Sequence, residues 1–356
     1  LGDYAGQVLR LPYQSMSAIL VAADGDPESD GASWSTATTL GHALTLVGTD
    51  EEIWVKAGTI PVAATLSSSK AFVLRGGYAG DDDANPGKLA ANPVTVLDGQ
   101  DARGTLLQLT QSDGAYANTV ERFDFVRATG SAFVKGNGGQ LVMRDCGFID
   151  NRGTGAGVNG RGGSFSGGMV SLWNCRFVGN QLPEAAGNKA FSGGGAYFSG
   201  TVVSMDGCSF ASNGIPLSAA TWYTWYNDSG AAFYATASRV TARNCRFVGN
   251  RQPVNQGGTS NCGGTIRLVG NCGGSRFENC LFLGNEDSAQ NTAEFSASDP
   301  MNFGGALYVG MDASSRTLTI DKCTFAYNLT DGYNCSAGLT LDTCSATVRD
   351  SIFYGN

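Results

Sequence analysis

A six-residue refrain recurs through the chain and limits what it can fold into. The full copies are Cys146-Gly-Phe148-Ile-Asp-Asn151, Cys175-Arg-Phe177-Val-Gly-Asn180, Cys208-Ser-Phe210-Ala-Ser-Asn213, Cys245-Arg-Phe247-Val-Gly-Asn250, Cys280-Leu-Phe282-Leu-Gly-Asn285 and Cys323-Thr-Phe325-Ala-Tyr-Asn328. A degenerate copy with Phe123, Phe125 and Ala128 precedes them, and Ser351, Phe353 and Asn356 form another. Self-similarity at this period is the signature of a solenoid, in which each repeat buries its apolar face only against its neighbours.

Cys and Phe two apart face the same way on a strand. Three residues before each Cys position stands another apolar residue: Val120, Met143, Leu172, Met205, Ala242, Phe277, Ile320 and Val348. An offset of three keeps one face only if the chain bends between, so each copy reads as strand, tight turn, strand. The bends are polar in most copies, as in Arg144-Asp145, Trp173-Asn174, Arg243-Asn244 and Asp321-Lys322. The closing Asn suits a surface turn, since Asn tolerates left-handed backbone. The alternative for it is a stacked ladder of amides. A third strand comes upstream, marked by Ala132, Ala156, Ala196, Ala231, Ile266, Ala306 and Ala337. From marker to the following Cys position there are 14, 19, 12, 14, 14, 17 and 14 residues. Three short strands per coil predict an all-β single-stranded parallel β-helix of roughly ten to twelve coils, not a βαβ fold.

The refrain, with Gly-Gly-Ala ahead of it as at Gly194-Gly195-Ala196 and Gly304-Gly305-Ala306, resembles the right-handed parallel β-helix repeats of pectate-lyase-like proteins. It is similar in particular to their secreted, cell-surface branch in Bacteroidetes and to the repeat of chlamydial polymorphic membrane proteins. The resemblance covers residues 120–356 and extends to the opening coils through Trp54-Val-Lys-Ala-Gly-Thr59, Leu74-Arg-Gly-Gly-Tyr-Ala-Gly80 and Asn92-Pro-Val-Thr-Val-Leu-Asp-Gly99. Ile60 departs from the Tyr usual in that family. The resemblance implies right-handed coiling and a secreted or outer-membrane-associated, extracytoplasmic location. The fold itself carries lyases, hydrolases, adhesins and stalks.

The 51 glycines, about twice the ordinary ~7% share, have no collagen period and mark corners. A net charge of -8 speaks against a nucleic-acid groove and against an anionic membrane surface. No apolar run is long enough for a transmembrane helix. A chain beginning at Leu1 reads as processed or trimmed, so a missing leader carries no weight. Six of the ten cysteines share the refrain position and read as one interior row of small apolar thiols. Cys262, Cys272, Cys335 and Cys344 lie off it. Local disulfides Cys262–Cys272 and Cys335–Cys344 are one arrangement for them, unpaired thiols the other.

A solenoid needs its apolar end covered. Ser35 to Val47 places Ala37, Leu40, Ala43, Leu44 and Val47 on one face, with Ser35 or Thr36 as cap, and is the predicted N-terminal capping helix. Residues 1–50 then form a cap region, continuous with a β-helix over 51–356. His42, the chain's one histidine, reads as a half-exposed helix residue. Two acidic runs, Asp24, Asp26, Glu28 and Asp30, and then Asp81, Asp82 and Asp83, are solvent turns, with Ca²⁺ as the alternative. Their spacing is not that of a calcium cage, and no other cofactor is indicated.

Four consecutive coils carry long excursions between the Asn and the next marker: 181–195, 214–230, 251–265 and 286–305. Inserts at one corner of a solenoid stack on one face, often the binding face. The second holds Trp222, Tyr223, Trp225 and Tyr226, rings that suit a sugar face or a partner protein. They are the predicted ligand-binding residues; the alternative is a local satellite core. A lyase on this fold needs an Arg or Lys base and often Ca²⁺, and a glycosidase needs paired carboxylates. No paired Asp ladder flanks the refrain. Arg176 and Arg246, two coils apart, form a basic pair with no acid evident in their row. Glu184, Asp228, Asp287 and Glu294 remain the catalytic candidates, on the excursions. The expected function is non-catalytic recognition of a glycan or surface protein; a polysaccharide lyase or glycoside hydrolase on the same face is the alternative, and a passive stalk the third reading.

Overall fold

The computed structural model describes residues 18–111, 116–136, 138–153, 159–181, 192–214, 230–253, 264–288, 304–311, 317–330, 336–342 and 344–356, with the main chain alone at 252, 253, 288 and 311. Strands of two to six residues wind into a parallel β-helix with three long sheets. Sheet A has eleven strands, from Ile19–Val21 to Ser345–Arg349. Sheet B has ten, from Gly58–Pro61 to Ile352–Tyr354, and sheet C nine, from Leu66–Ser68 to Leu339–Asp342. Each coil visits C, then A, then B, and the strand pairs are parallel and in register.

The predicted interior rows are present. Val120, Met143, Leu172, Met205, Ala242, Phe277, Ile320 and Val348 align across sheet A. Phe125, Phe148, Phe177, Phe210, Phe247, Phe282, Phe325 and Phe353 align across sheet B. Their rings stack with centroids 4.1 to 5.3 Å apart and near-parallel planes. The bend between A and B is one left-handed residue: Asp145, Asn174, Gly207, Asn244, Asn279 and Lys322 have φ of 51 to 63°. Asn and Gly meet that demand at least cost.

The six refrain thiols are free and buried in one row, as predicted. Sγ of Cys146, Cys175, Cys208 and Cys280 donates to the carbonyls of Val120, Met143, Leu172 and Ala242, at 3.4 to 3.6 Å. Burial among its thiol neighbours pushes Cys175 well up from the ordinary thiol range.

The closing Asn is not a surface turn residue. The left-handed residue is the one before it, as at Asp150, Gly179, Ser212, Gly249 and Gly284, while the Asn itself points inward and is buried. Each Oδ1 accepts from the main-chain N–H and the side-chain amide of the Asn one coil back, and each Nδ2 also donates to a Phe carbonyl. For Asn213 these are Asn180 N at 3.1 Å, Asn180 Nδ2 at 2.9 Å and the Phe177 carbonyl at 2.9 Å. The ladder runs without a break from Asn151 to Asn356. Only Asn fills both roles, because it carries acceptor and donor on one short arm.

Sheet C departs from the expected marking. Gly163 aligns with Ala196 and Phe233, so the strand Gly163–Ser166 takes the place assigned to Ala156, which lies outside the described residues. Counted from these aligned positions, Gly163, Ala196 and Phe233 each stand 12 residues before their Cys, and the apparent irregularity of 19 disappears.

The capping helix is shorter than predicted. A 3-10 turn, Trp34–Thr36, is capped by Ser33, and helix α1 spans Leu40–Leu46 with Thr39 as its cap. One helix over 35–47 fails because Thr38 is held extended against the first strand: its N–H donates to the Leu20 carbonyl at 2.9 Å. The predicted face of Leu40, Ala43, Leu44 and Val47 is buried in the main core. Lys70 Nζ donates to the Thr45 and Val47 carbonyls at the end of α1, at 3.1 and 2.6 Å.

Candidate functional site

The excursions leave where expected. Arg152, Gln181, Gly214 and Arg251 pair in succession just past the Asn ladder. Beyond them a fourth sheet, D, forms from Arg251–Pro253, Glu286–Ser288 and Leu329–Thr330. The roots of the excursions are therefore stacked at the corner between sheets B and C. Trp222, Tyr223, Trp225, Tyr226, Glu184, Asp228 and Glu294 lie outside the described residues. Asp287 is described: it sits on sheet D, buried, with Oδ2 accepting from the Gly264 N–H at 3.2 Å. Arg251 and Glu286 make an ion pair beside it at 3.4 Å.

The wall entered from that corner is sheet C. Its inward row is Leu107, Phe133, Gly163, Ala196, Phe233, Ile266 and Leu307. The next residue of each strand points away from the axis. That outward row reads Gln108, Val134, Ser164, Tyr197, Tyr234, Arg267, Tyr308 and Thr340. Tyr197 and Tyr234 stack at 5.7 Å with planes 7° apart. The Arg267 guanidinium stands 5.8 Å from the Tyr234 ring centre and 5.3 Å from that of Tyr308. The Tyr308 hydroxyl donates to Asp342 at 2.9 Å. Burial and this bond push the Tyr308 phenol up to about 12. Tyr234, Arg267 and Tyr308 are buried although they point outward; Tyr197 is half-buried. A second outward row, Ser166, Ser199 and Thr236, lies beside Tyr197 and sets hydroxyls next to its ring. No single stretch of sequence marks this column, because each of its four members comes from a different coil.

Sheet B turns a different face outward. Asp124, Gly147, Arg176, Ser209 and Arg246 form one outward row. Arg176 therefore has an acid in its own row: its Nη2 donates to both carboxylate oxygens of Asp124, at 2.6 and 2.8 Å. The sequence reading missed this pairing because Asp124 belongs to the degenerate first copy. Gly147 lies between, and a Cβ there would come within 2.3 Å of Asp124 Oδ1. Asp98 of the neighbouring outward row accepts from Arg127 Nε at 2.9 Å and from the Gln100 N–H at 2.8 Å.

Two interior cations stand near the sheet C corners. Lys135 points into the helix at the end of its strand and donates to the carbonyls of Gly136, Gly138, Ser166 and Gly167. Burial pulls its ammonium down to about 8. Arg161, fully buried, donates to the Thr129 carbonyl at 3.0 Å and is pulled down to about 10 by the same cause.

The acidic runs are used locally. Asp26 and Asp30 each accept a main-chain N–H two residues on. Asp81 pairs with Lys88 at 3.2 Å, Asp82 accepts from the Ala84 N–H, and Asp83 accepts from the Trp34 N–H and the Ser35 hydroxyl. Asp83 thus ties its loop to the 3-10 turn. Among the described residues no three His, Cys, Asp or Glu side chains converge to hold a metal ion. Cys272 and Cys344 are described, whereas Cys262 and Cys335 lie outside the described residues.

Among solved structures, the chain is similar to that titled pectate lyase Pel9A, with a TM-score of 0.56 and 14% identity over 94% of this chain and 80% of that one. At that identity the likeness concerns the fold: the chain is a right-handed parallel β-helix of the pectate-lyase-like kind, with a short N-terminal helix. No protein-family model matches the chain, and no curated protein matches it. No helix of the described residues is long and apolar enough to cross a membrane.

Proposed function

We propose that the chain is an extracytoplasmic, carbohydrate-directed protein that seats a polysaccharide along the outward face of sheet C and cleaves it. The stacked column of Tyr197, Tyr234, Arg267 and Tyr308, on the wall entered from the excursion corner, carries this reading. Tyr197, half-buried at the end of the column, suits a sugar face, the hydroxyls of Ser166, Ser199 and Thr236 suit sugar hydroxyls, and the buried Tyr234, Arg267 and Tyr308 hold the column rigid behind it. Cleavage draws its support from the fold shared with a pectate lyase.

A second reading is non-catalytic binding at a cell surface, as in the Bacteroidetes branch, through Trp222, Tyr223, Trp225 and Tyr226. It is favoured by the state of the described carboxylates: Asp98 and Asp124 on sheet B are tied to arginines, and Asp342 on sheet C accepts from Tyr308. One panel separates the two. The chain is incubated with polygalacturonate, alginate and neutral glycans; unsaturated products and reducing ends are followed, and binding is measured by calorimetry. Turnover reduced at least tenfold in Tyr197→Ala, with an unchanged melting curve, supports cleavage on sheet C. Binding without turnover, lost in Trp222→Ala/Trp225→Ala, supports the second reading. Neither binding nor turnover overturns both and leaves a stalk.

A further inference from the structure

The outward faces of the three long sheets differ in charge. Sheet A turns Arg75, Glu121, Arg144, Asp206 and Arg243 outward in one row. Sheet B turns out Asp124, Arg176 and Arg246. Along six successive strands of sheet C, from Leu66–Ser68 to Phe233–Thr236, no outward position carries a formal charge. The chain has 23 basic and 31 acidic residues, so charge is missing from this face and not from the surface at large. Further along sheet C, among the described residues, the outward charges are Arg267 and Asp342, and both are committed. Arg267 is buried between the Tyr234 and Tyr308 rings, and Asp342 accepts from the Tyr308 hydroxyl.

The uncharged stretch carries hydroxyls instead. Ser164 pairs with Tyr197, and Ser166, Ser199 and Thr236 form the neighbouring row, all of them half-buried. Among the described residues, none of these hydroxyls, nor that of Tyr197, has a hydrogen-bond partner. A hydroxyl both donates and accepts, which is also the capacity of a sugar hydroxyl. Half-buried polar groups that the protein leaves unpaired are completed by water or by a ligand.

Resting on the reading of sheet C as the seat of a polysaccharide, we infer that this polysaccharide is a neutral one, whose sugars bear hydroxyls and no carboxylate or sulfate. A polyuronate brings one anion per sugar. Laid along these six strands, the anions lose water and meet no cation in exchange, and an unpaired charge strongly opposes such burial. The net charge of -8 adds a longer-range repulsion. A neutral sugar gives up only the hydration of its hydroxyls, which the serines and Thr236 replace, and sets its apolar face on Tyr197. The class of reaction follows. Elimination removes a proton made acidic by a neighbouring uronate carboxylate, and a neutral sugar has none. Cleavage on this face is therefore hydrolysis: the bond from the anomeric carbon to the bridging oxygen breaks, the hydroxyl of water ends on that carbon, and its proton ends on the leaving oxygen. Each cut releases one reducing end and no unsaturated product.

The test presents the whole chain with glucan, xylan and mannan, with polygalacturonate, and with polygalacturonate whose carboxyls have been reduced to alcohols. Binding is measured by calorimetry at low and high salt, and cleavage by reducing ends and unsaturated products. The expected result is that one or more of the neutral polymers, the reduced one included, binds at least ~tenfold more tightly than polygalacturonate, with little dependence on salt. Ser199→Ala and Thr236→Val each remove one hydroxyl and should weaken that binding about three- to tenfold, with an unchanged melting curve. Polygalacturonate bound as tightly as every neutral polymer, or any unsaturated product, overturns the inference; loss of that polyuronate binding in Tyr197→Ala would show that the seat on sheet C stands without it. Neutral binding that none of Tyr197→Ala, Ser199→Ala and Thr236→Val moves, or no binding to any polymer, overturns the seat and the inference together.

Discussion

Sheets B and C are walls of the same construction, with short parallel strands in register, yet they differ in what they repeat. On sheet B the inward row is Phe in eight successive coils, and the residues flanking it are a Cys row and an Asn ladder. On sheet C the inward row passes through Leu, Phe, Gly, Ala, Phe, Ile and Leu. A stack of like rings and a ladder of like amides work only if each coil repeats its neighbour, so sheet B is held to one sequence. The core above sheet C is filled by whatever volume is left, so residues there vary. The outward face of C is freer still, and that is where rings and a guanidinium have collected. The wall that is uniform holds the coil pitch; the wall that varies is the one on which chemistry can be set.

The largest test of that contrast is in the ring stack. Phe210 lies between Phe177 and Phe247, fully buried. Phe210→Ala should cost about 3 to 5 kcal/mol, as large-to-small core changes do. Tyr197→Ala, on the outward face of C, should cost within about 1 kcal/mol. Urea midpoints of the two variants measure the difference; equal losses would break the division of labour between the walls. Next comes the ladder. Asn213→Ala strips the buried Asn180 main-chain N–H of its acceptor and removes the side-chain bond to the Phe177 carbonyl, at about 2 to 3 kcal/mol. Asn213→Asp should not rescue it, because a carboxylate cannot donate to the Phe177 carbonyl. A smaller loss, about 1 to 2 kcal/mol, is expected for Cys208→Ala, which deletes one buried sulfur from the row. In the same preparations the six refrain thiols should resist a thiol reagent until denaturant is added.

Much of this fold is legible in the sequence because ladders write themselves as repeats. The Cys, Phe and Asn rows, the apolar row three before, and the presence of a tight bend between them can be placed from spacing. What escapes is whatever a single coil does not repeat. The sheet C strand at Gly163 was hidden because Ala156 competes with it and glycine carries no side-chain signal. The burial of the Asn row was open because a turn residue and a ladder residue are the same letter. Sheet D could not be foreseen, since Arg251, Glu286 and Leu329 share no type. The Asp124–Arg176 pair and the Tyr197–Tyr234–Arg267–Tyr308 column join residues tens of positions apart, and only the register of the coils brings them together. The ligand residues that the sequence favours stand out by local aromatic density; the column on sheet C has none, being one residue per coil.

The smallest expected effect, and the sharpest on sheet B itself, is in acid. Asp98 and Asp124 are both paired with an arginine on the outward face, yet they shift in opposite directions. For Asp98, desolvation raises the carboxyl, but the bonds from Arg127 and from the Gln100 N–H outweigh it, and the net shift is downward. For Asp124, desolvation wins over Arg176, and the net shift is upward. The linkage then has two signs. The Asp98 contribution is fully present above the ordinary carboxylate range and is lost as pH falls through its lowered folded value. Asp124 binds its proton more readily folded than unfolded, so stability falls as pH rises from the ordinary carboxylate range through its raised folded value. Asp98→Asn should flatten the acid limb of the stability curve, and Asp124→Asn should remove the opposite slope just above it. Urea midpoints from strongly acid to neutral pH, with carboxyl resonances followed by NMR, read both. Exposed arginines on each pair keep the changes small, within about 1 kcal/mol for Asp124. If Asp124 instead titrates below Asp98, the bidentate contact from Arg176 outweighs burial, and the row around Gly147 is wetter than its packing implies.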